Sequence, residues 1–252
     1  MIKKNILITG ATSGLGLMLT RFFDKKNYGL FITGRDKIKI NEIKKNISIA
    51  NKNNCFAFDF RNNKNLFNFL RVIKKRKKKF DAIIHCLGGG FGKHVPLISQ
   101  KDLNFLFNIN VSVGAEINRV IISGKQYKEN LKLIHIASVA GIESTASVGY
   151  SMVKSSLISY TKTLSKDLIS KNIFVHCVLP GAFEYENNAF GRLKKNNRKV
   201  YNSFIKNKLP RKKISKAEEF FGLFEFLLTD NSNALAGSSI LADFSETNSY
   251  RI

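Results

Sequence analysis

Residues Asn5 to Lys26 read NILITGATSGLGLMLTRFFDKK, and the reading of that stretch decides the fold. NILIT is a short apolar run, the pattern of a strand buried on both faces. TGATSGLG places Gly10, Gly14 and Gly16 in the turn that follows. LGLMLTRFFDKK then repeats apolar residues at helical spacing. A strand that passes through a glycine turn into a helix is the first half of a βαβ crossover.

The alternation continues nearly to the end of the chain. GLFITG (29–34), CFAFDF (55–60), FDAIIHCLG (80–88), LKLIHIAS (131–138), IFVHCVLP (173–180) and SSILAD (238–243) read as strands. Between them, helical patterns cover 36–50, 63–79, 102–123, 148–170 and 216–230. Strands alternating with helices imply right-handed crossovers and a parallel sheet covered on both faces. The expectation is an α/β, doubly wound Rossmann-type sheet in three α/β/α layers, forming a single domain over residues 1–252. Ligands in such sheets bind beyond the carboxyl ends of the strands, where the strand order switches.

Composition narrows the remaining possibilities. Three prolines and no Gly/Ser/Pro-rich linker argue for one domain. Cys55, Cys86 and Cys177 are odd in number and far apart, and His85, His94, His135 and His176 lack ligand spacing. Neither a disulfide framework nor a metal site is expected. The chain enters its first strand almost at once, leaving no room for a signal peptide. No run approaches the ~18 apolar residues of a membrane span, so a cytoplasmic protein is expected. The formal charge of +24 fits nucleic acid, an anionic membrane surface or anionic substrates. Its densest run, Lys74 to Lys79, follows a helical pattern and sits where cations complement a helix dipole. Lys, Asn, Ile and Phe are all abundant, as A/T-rich coding produces, and no groove-reading motif accompanies the charge. A nucleic-acid partner is therefore not expected.

The glycine turn carries the first chemistry. Its glycines let backbone N–H groups approach a pyrophosphate, which the helix N-terminus attracts. The spacing G-x-x-x-G-x-G differs from the usual dinucleotide G-x-G-x-x-G. After the second strand, Gly34 stands where an acid would hold a ribose diol, and Arg35 follows with a fork suited to a 2′-phosphate. Asp36 lies twenty residues past Gly16, so NADP is favoured and NAD stays open. Asp59 ends the third strand, placed to accept the adenine amino group, and the glycines of HCLGGGFG suit a backbone passing beside the ribose.

Tyr150 and Lys154 share one helix face, with Ser138 twelve residues upstream of the tyrosine. At this point the chain resembles the short-chain dehydrogenase/reductase family over essentially its whole length. The resemblance rests on TGATSGLG, FDF with Asp59, Asn110 in NINVSVG, Ser138 in HIASVAG, YSMVK, Pro180-Gly181 in VLPGA, and the terminal FLLTDNSNALAGSSILAD. It implies a catalytic set of Asn110, Ser138, Tyr150 and Lys154. It also implies cofactor contacts from Gly10, Thr12, Ser13, Gly14, Leu15, Gly16, Arg35, Asp59, Phe60, Leu87, Gly88, Tyr150, Lys154, Pro180, Gly181 and Phe183. The Lys154 ammonium is expected to lower the Tyr150 pKa, as an opposite charge does. Ser138 would polarise a substrate carbonyl and Asn110 anchor a water chain.

The chain departs from the family pattern in four places. N-N-A-G reads HCLG from His85 to Gly88, and the Ser138–Tyr150 interval is one residue short. Tyr185 stands where a threonine often follows Pro-Gly, and D-G-G reads DFS from Asp243 to Ser245. LGGGFG, the short Ser138–Tyr150 interval and the long PGAFEYENNAF segment are similar to a branch found in surface-polysaccharide and unusual-sugar gene clusters. The segment after Pro-Gly, about 183–214, is expected to cover the substrate. It holds Arg192, Lys194, Lys195, Arg198, Lys199, Lys206, Lys208, Arg211, Lys212 and Lys213 against Glu184 and Glu186. The expected substrate is a small carbonyl or alcohol compound, anionic, such as a keto-sugar or nucleotide-sugar. The alternatives are a 3-oxoacyl-[acyl-carrier-protein] reductase and, from another class, a non-catalytic dinucleotide-binding regulator or scaffold. The family implies a homodimer or homotetramer.

Overall fold

The computed structural model describes residues 4–185 and 188–249; Glu186, one of the two acids expected in the cover, lies outside them. In chain order the elements are β1 (Asn5–Thr9), α1 (Gly14–Lys25), β2 (Gly29–Gly34), α2 (Lys37–Asn46), α3 (Ile49–Lys52), β3 (Cys55–Ala57), α4 (Asn63–Arg76), β4 (Phe80–His85), α5 (Gln100–Phe107), α6 (Val113–Ser123), β5 (Tyr127–Ile136), α7 (Val148–Leu168), β6 (Ile173–Pro180), β7 (Phe183–Glu184), α8 (Ala189–Asn196), α9 (Arg198–Lys208), β8 (Ser215–Lys216), α10 (Phe221–Leu227) and β9 (Ser239–Ala242). Seven strands form one parallel sheet in the order β3-β2-β1-β4-β5-β6-β9. The order switches between β1 and β4, which opens the crevice at their carboxyl ends.

Both faces of the sheet are buried. Ile6, Ile8, Ile32, Ile84 and Val178 pack against Leu19 and Phe23 of α1 and Phe224 of α10. Leu7, Phe31, Ile83, Leu133 and Val175 face Phe69 of α4 and Ile117 of α6. Strands enclosed on both sides can be apolar at every position, which is why NILIT shows no alternation.

Several expected boundaries shift for identifiable reasons. The helix expected over 36–50 breaks at Ile47, because Asp24 captures both the backbone N–H and the hydroxyl of Ser48. The helix expected to reach Lys79 stops at Arg76, and Lys77 takes a left-handed cap at φ 48°. The polar basic stretch after Pro180, given no elements from sequence, folds into α8 and α9 and a two-stranded parallel pair, β7 with β8. Helix 100–123 is one helix long and apolar enough, by length and composition, to cross a membrane. Leu106, Val113, Ile117, Val120 and Ile121 bury its apolar side in the molecule, as in a core helix.

Candidate active site

The glycine turn is as tight as its sequence demands. Gly10 sits at φ +69°, and a Cβ there would lie 2.8 Å from the Cys86 carbonyl carbon. A Cβ on Gly16 would lie 2.5 Å from the Gly10 oxygen. No acid stands in the first turn of α1, so the positive end of the helix is uncompensated. This cradle fits a pyrophosphate. Thr12 is buried against Gly34 and Leu15 in the core, so only their backbones can face a ligand there, while Ser13 is exposed.

Arg35 is exposed beyond β2, its guanidinium carbon 5.9 Å from the Phe91 ring centre. Asp36 caps α2 by accepting the Lys39 N–H at 3.0 Å. Asp59 grips Arg61 through both carboxylate oxygens, and this hydrogen bonding, above all, holds its carboxyl below the usual range. Phe60 is buried on Phe69, ring centres 5.1 Å apart.

Asn110 lies in a π turn, 108–112, inserted between α5 and α6. Single π turns inside α-helices often mark functional positions. Its carboxamide clasps the loop after β4, accepting the Gly89 N–H at 3.0 Å and donating to the Gly89 carbonyl at 3.1 Å. A Cβ on Gly88 would fall 2.5 Å from Asn110 Oδ1 and 3.3 Å from Lys154 Nζ. Lys154 is buried on α7, donates to the Ile136 carbonyl at 2.8 Å, and stands 5.5 Å from the Tyr150 ring centre. Ser138, at the end of β5, accepts the Ala140 N–H at 3.2 Å and sits within hydrogen-bonding influence of Tyr150. A Cβ on Gly90 would lie 3.8 Å from the Tyr150 ring, in ordinary contact with it. Asn110, Ser138, Tyr150, Lys154 and Gly88 thus converge beyond the carboxyl ends of β4 and β5, while Arg35 follows β2 and Asp59 follows β3.

Burial, rather than the neighbouring ammonium, governs the Tyr150–Lys154 pair. Desolvation pushes Tyr150 up to about 12, opposed by the Ser138 hydrogen bond and aided by Tyr185. Desolvation also brings Lys154 down to about 8, against small opposing effects of Cys177 and Cys86. The expected lowering of the tyrosine is corrected in this respect: both groups are held toward their neutral forms, because each charged form loses water.

Pro180 ends β6 and is buried, and the next residue, Gly181, donates to the Ala242 carbonyl at 3.1 Å. A Cβ on Gly181 would strike Glu246 and Asp243. Phe183 rests edge-on against Phe220, centres 5.4 Å apart.

One part of the site was not anticipated. His85, the first residue of HCLG, lies beside His135 in the β4–β5 register, ring centres 4.5 Å apart. His85 Nε2 donates to Asn118 Oδ1 at 2.9 Å, and Asn118 Nδ2 reaches His135 Nε2 at 3.1 Å and Tyr160 Oη at 3.2 Å. This network ties the end of β4, just before the glycine-rich loop, to α6, β5 and α7. The sequence signal was two histidines at matching strand positions, meaningful only once the register is known.

The description "short chain dehydrogenase" matches residues 4–196. The chain is 26% identical over 242 residues to the 3-oxoacyl-[acyl-carrier-protein] reductase of Buchnera aphidicola subsp. Schizaphis graminum, covering 94% of this chain and 95% of that one. It is 22% identical over 242 residues to the same-named reductase of Thermotoga maritima, covering 95% and 96%. The fold superposes on L-sorbose reductase from Gluconobacter frateurii complexed with NADPH and L-sorbose, with TM-score 0.87, 20% identity and 98% of each chain covered. A 4-hydroxyisoleucine dehydrogenase complexed with NADH gives TM-score 0.83 at 20% identity, covering 97% of this chain and 100% of that one. With three quarters of its length matched by the family description and the fold in agreement, this chain belongs to the short-chain dehydrogenase/reductase family of oxidoreductases, which act on a carbonyl or alcohol with a nicotinamide dinucleotide.

Proposed function

We propose that the protein reduces a ketone to a secondary alcohol using NADPH. The observation that carries this reading is the convergence of Ser138, Tyr150, Lys154 and Asn110 beside Gly88. Residues 10–16 would hold the pyrophosphate on the α1 N-terminus, and Arg35 a 2′-phosphate. Asp59 and Phe60 would border the adenine, Leu87 and Gly88 the ribose, and Pro180, Gly181 and Phe183 the nicotinamide end. NADPH is favoured because Asp36 is engaged as a helix cap while Arg35 is exposed. When bound, the dinucleotide supplies the hydride that reaches the carbonyl carbon.

The side chains manage the oxygen. Ser138 donates a hydrogen bond to the carbonyl oxygen and stabilises the charge that develops on it. Tyr150, held as a neutral phenol, releases its proton to that oxygen and is left as phenolate. The Lys154 ammonium stabilises the phenolate, and its Nζ would also bond ribose hydroxyls. Asn110 keeps the Gly88–Gly89 backbone in place and anchors the route by which a proton returns.

The substrate reading is an anionic keto-sugar or nucleotide-sugar. Its support is the surplus of cations on the segment from 183 to 214, proposed as the substrate cover. Some are committed, Lys194 to Glu184 at 2.8 Å and Arg211 to Glu219 at 2.6 Å, while Lys195, Arg198, Lys199, Lys206 and Lys208 lie exposed. Reduction of a 3-oxoacyl thioester is the second reading, favoured by the curated relatives named above. A homodimer or homotetramer is also proposed, supported by exposed Phe107, Val148 and Met152 on helices α5 and α7.

Following NADPH absorbance with keto-sugars, nucleotide-sugars and 3-oxoacyl thioesters in parallel separates the two substrates. Turnover of thioesters alone sets the sugar reading aside. NADPH consumption with none of them, at cofactor saturation, counts against ketone reduction itself.

A further inference from the structure

Tyr185 lies on the glycine turn. A Cβ built on Gly14 would stand 2.6 Å from Tyr185 Cζ and 2.9 Å from its Oη, so the ring rests against the first residue of α1. A pyrophosphate drawn to the N-terminus of α1 needs that same face. Few side chains could block it more effectively than a rigid aromatic ring.

The Tyr185 backbone is tied into the segment beyond it. Its carbonyl accepts the Asn188 N–H at 3.2 Å, and a Cβ on Gly191 would fall 2.7 Å from that carbonyl. Asn188 Nδ2 donates to the Phe183 carbonyl at 2.6 Å, while its Oδ1 accepts the Gly191 N–H at 2.6 Å. On the other side Glu184 binds Lys194 of α8 at 2.8 Å and accepts the Tyr201 hydroxyl of α9. Strand β7, Tyr185 and the first turn of α8 are therefore one hydrogen-bonded piece. Burial, above all, raises the Tyr185 phenol, with Arg192 lowering and Cys86 raising it, and Tyr185 in turn adds to the burial that raises Tyr150.

We propose that Tyr185 is a positioning residue that ties dinucleotide binding to the placement of β7, α8 and α9 over the site. The proposal rests on the dinucleotide reading above. The ring and the pyrophosphate claim one face of Gly14, so binding moves the ring, and the ring carries β7 and α8 with it. Apparent cofactor affinity is then reduced by the fraction of molecules whose ring is off the turn. Substrate meets a correctly placed cover only after the dinucleotide has bound.

The test combines NADPH titration with amide hydrogen exchange on wild type, Tyr185→Phe, Tyr185→Ala and Tyr185→Thr; two truncations guard against one failing to fold. Tyr185→Ala and Tyr185→Thr are expected to bind NADPH roughly fivefold or more tightly, because no ring has to be displaced. Wild type and Tyr185→Phe should show NADPH-dependent exchange changes both in the glycine turn and across 188–208. The truncations should show them in the glycine turn alone. Equal or weaker binding by the truncations, with 188–208 still responding, overturns the role of Tyr185 and leaves the dinucleotide reading intact. If no variant binds NADPH or NADH, both readings fall together.

Discussion

The carboxamide of Asn110 and the backbone of Gly89 hold one another by two hydrogen bonds, 3.0 Å to the N–H and 3.1 Å from the carbonyl. A π turn in the helix aims the carboxamide, and the loop after β4 passes too close to leave room for a side chain at Gly88. The loop after β4 and the helix that carries Asn110 are thereby joined through one residue.

Replacing Asn110 with Leu removes both bonds and leaves the Gly89 N–H and carbonyl without those partners. Turnover should fall by roughly 10- to 100-fold, with stability lowered by about 1–3 kcal/mol. Steady-state kinetics beside urea unfolding check both halves; unchanged kcat with lowered stability would show that Asn110 is structural only.

Tyr150→Phe keeps the ring and removes the proton. The expected loss in kcat is about 10²- to 10⁴-fold, with dinucleotide affinity within a factor of about two of wild type. Calorimetric titration with NADPH and single-turnover kinetics distinguish this from a collapsed site.

The pH dependence should be governed by Lys154. Burial brings its ammonium down to about 8, while the Tyr150 phenol, pushed up to about 12, stays protonated throughout. As pH rises through about 8 the ammonium is lost, the phenolate product of proton transfer loses its stabiliser, and kcat/KM for reduction declines. A profile flat to pH 10 contradicts this assignment.

Acid should destabilise the fold before its carboxylates matter. Burial lowers His85 and His176 to about 4 and holds His135 well below its ordinary 6.5. Above pH 6.5 neither folded nor unfolded chain charges these rings, so they have no effect. Below it the unfolded chain takes up protons that the native state refuses, costing about 1.4 kcal/mol per pH unit for each histidine until the folded value is reached. Urea midpoints measured from pH 7 to 4.5 should fall steadily; a constant midpoint across that window rules the argument out.

Asn118→Ala strips His85, His135 and Tyr160 of their shared partner. Two buried ring nitrogens and one half-buried hydroxyl lose hydrogen bonds, so destabilisation of about 1–3 kcal/mol is expected. Thermal unfolding measures it, and a shift near zero would mean water takes over the bonds.

Much of this molecule was legible in its residues. NILIT, GLFITG and IFVHCVLP marked strands because short, mostly apolar runs alternating with helical patterns suit a sheet covered on both faces, and β1, β2 and β6 occupy those stretches. The glycines of TGATSGLG were readable because two of them adopt positive φ and a third meets the Gly10 carbonyl. The basic stretch after Pro180 was not legible as α8 and α9, since its lysines mask a sparse apolar pattern of which Tyr201 alone is buried. The π turn at Asn110 left no trace, because one extra residue in a helical turn changes no residue type.

The amino-acid sequence by itself determined the strand and helix alternation, the glycine turn, and which side chains could do chemistry, since these depend on local propensity and periodicity. Only the tertiary structure decided the balance of charge at Tyr150 and Lys154, the pairing of His85 with His135, and the seat of Tyr185 on Gly14. Those outcomes arise from desolvation, strand register and close approach between segments distant in the chain, which no local pattern encodes.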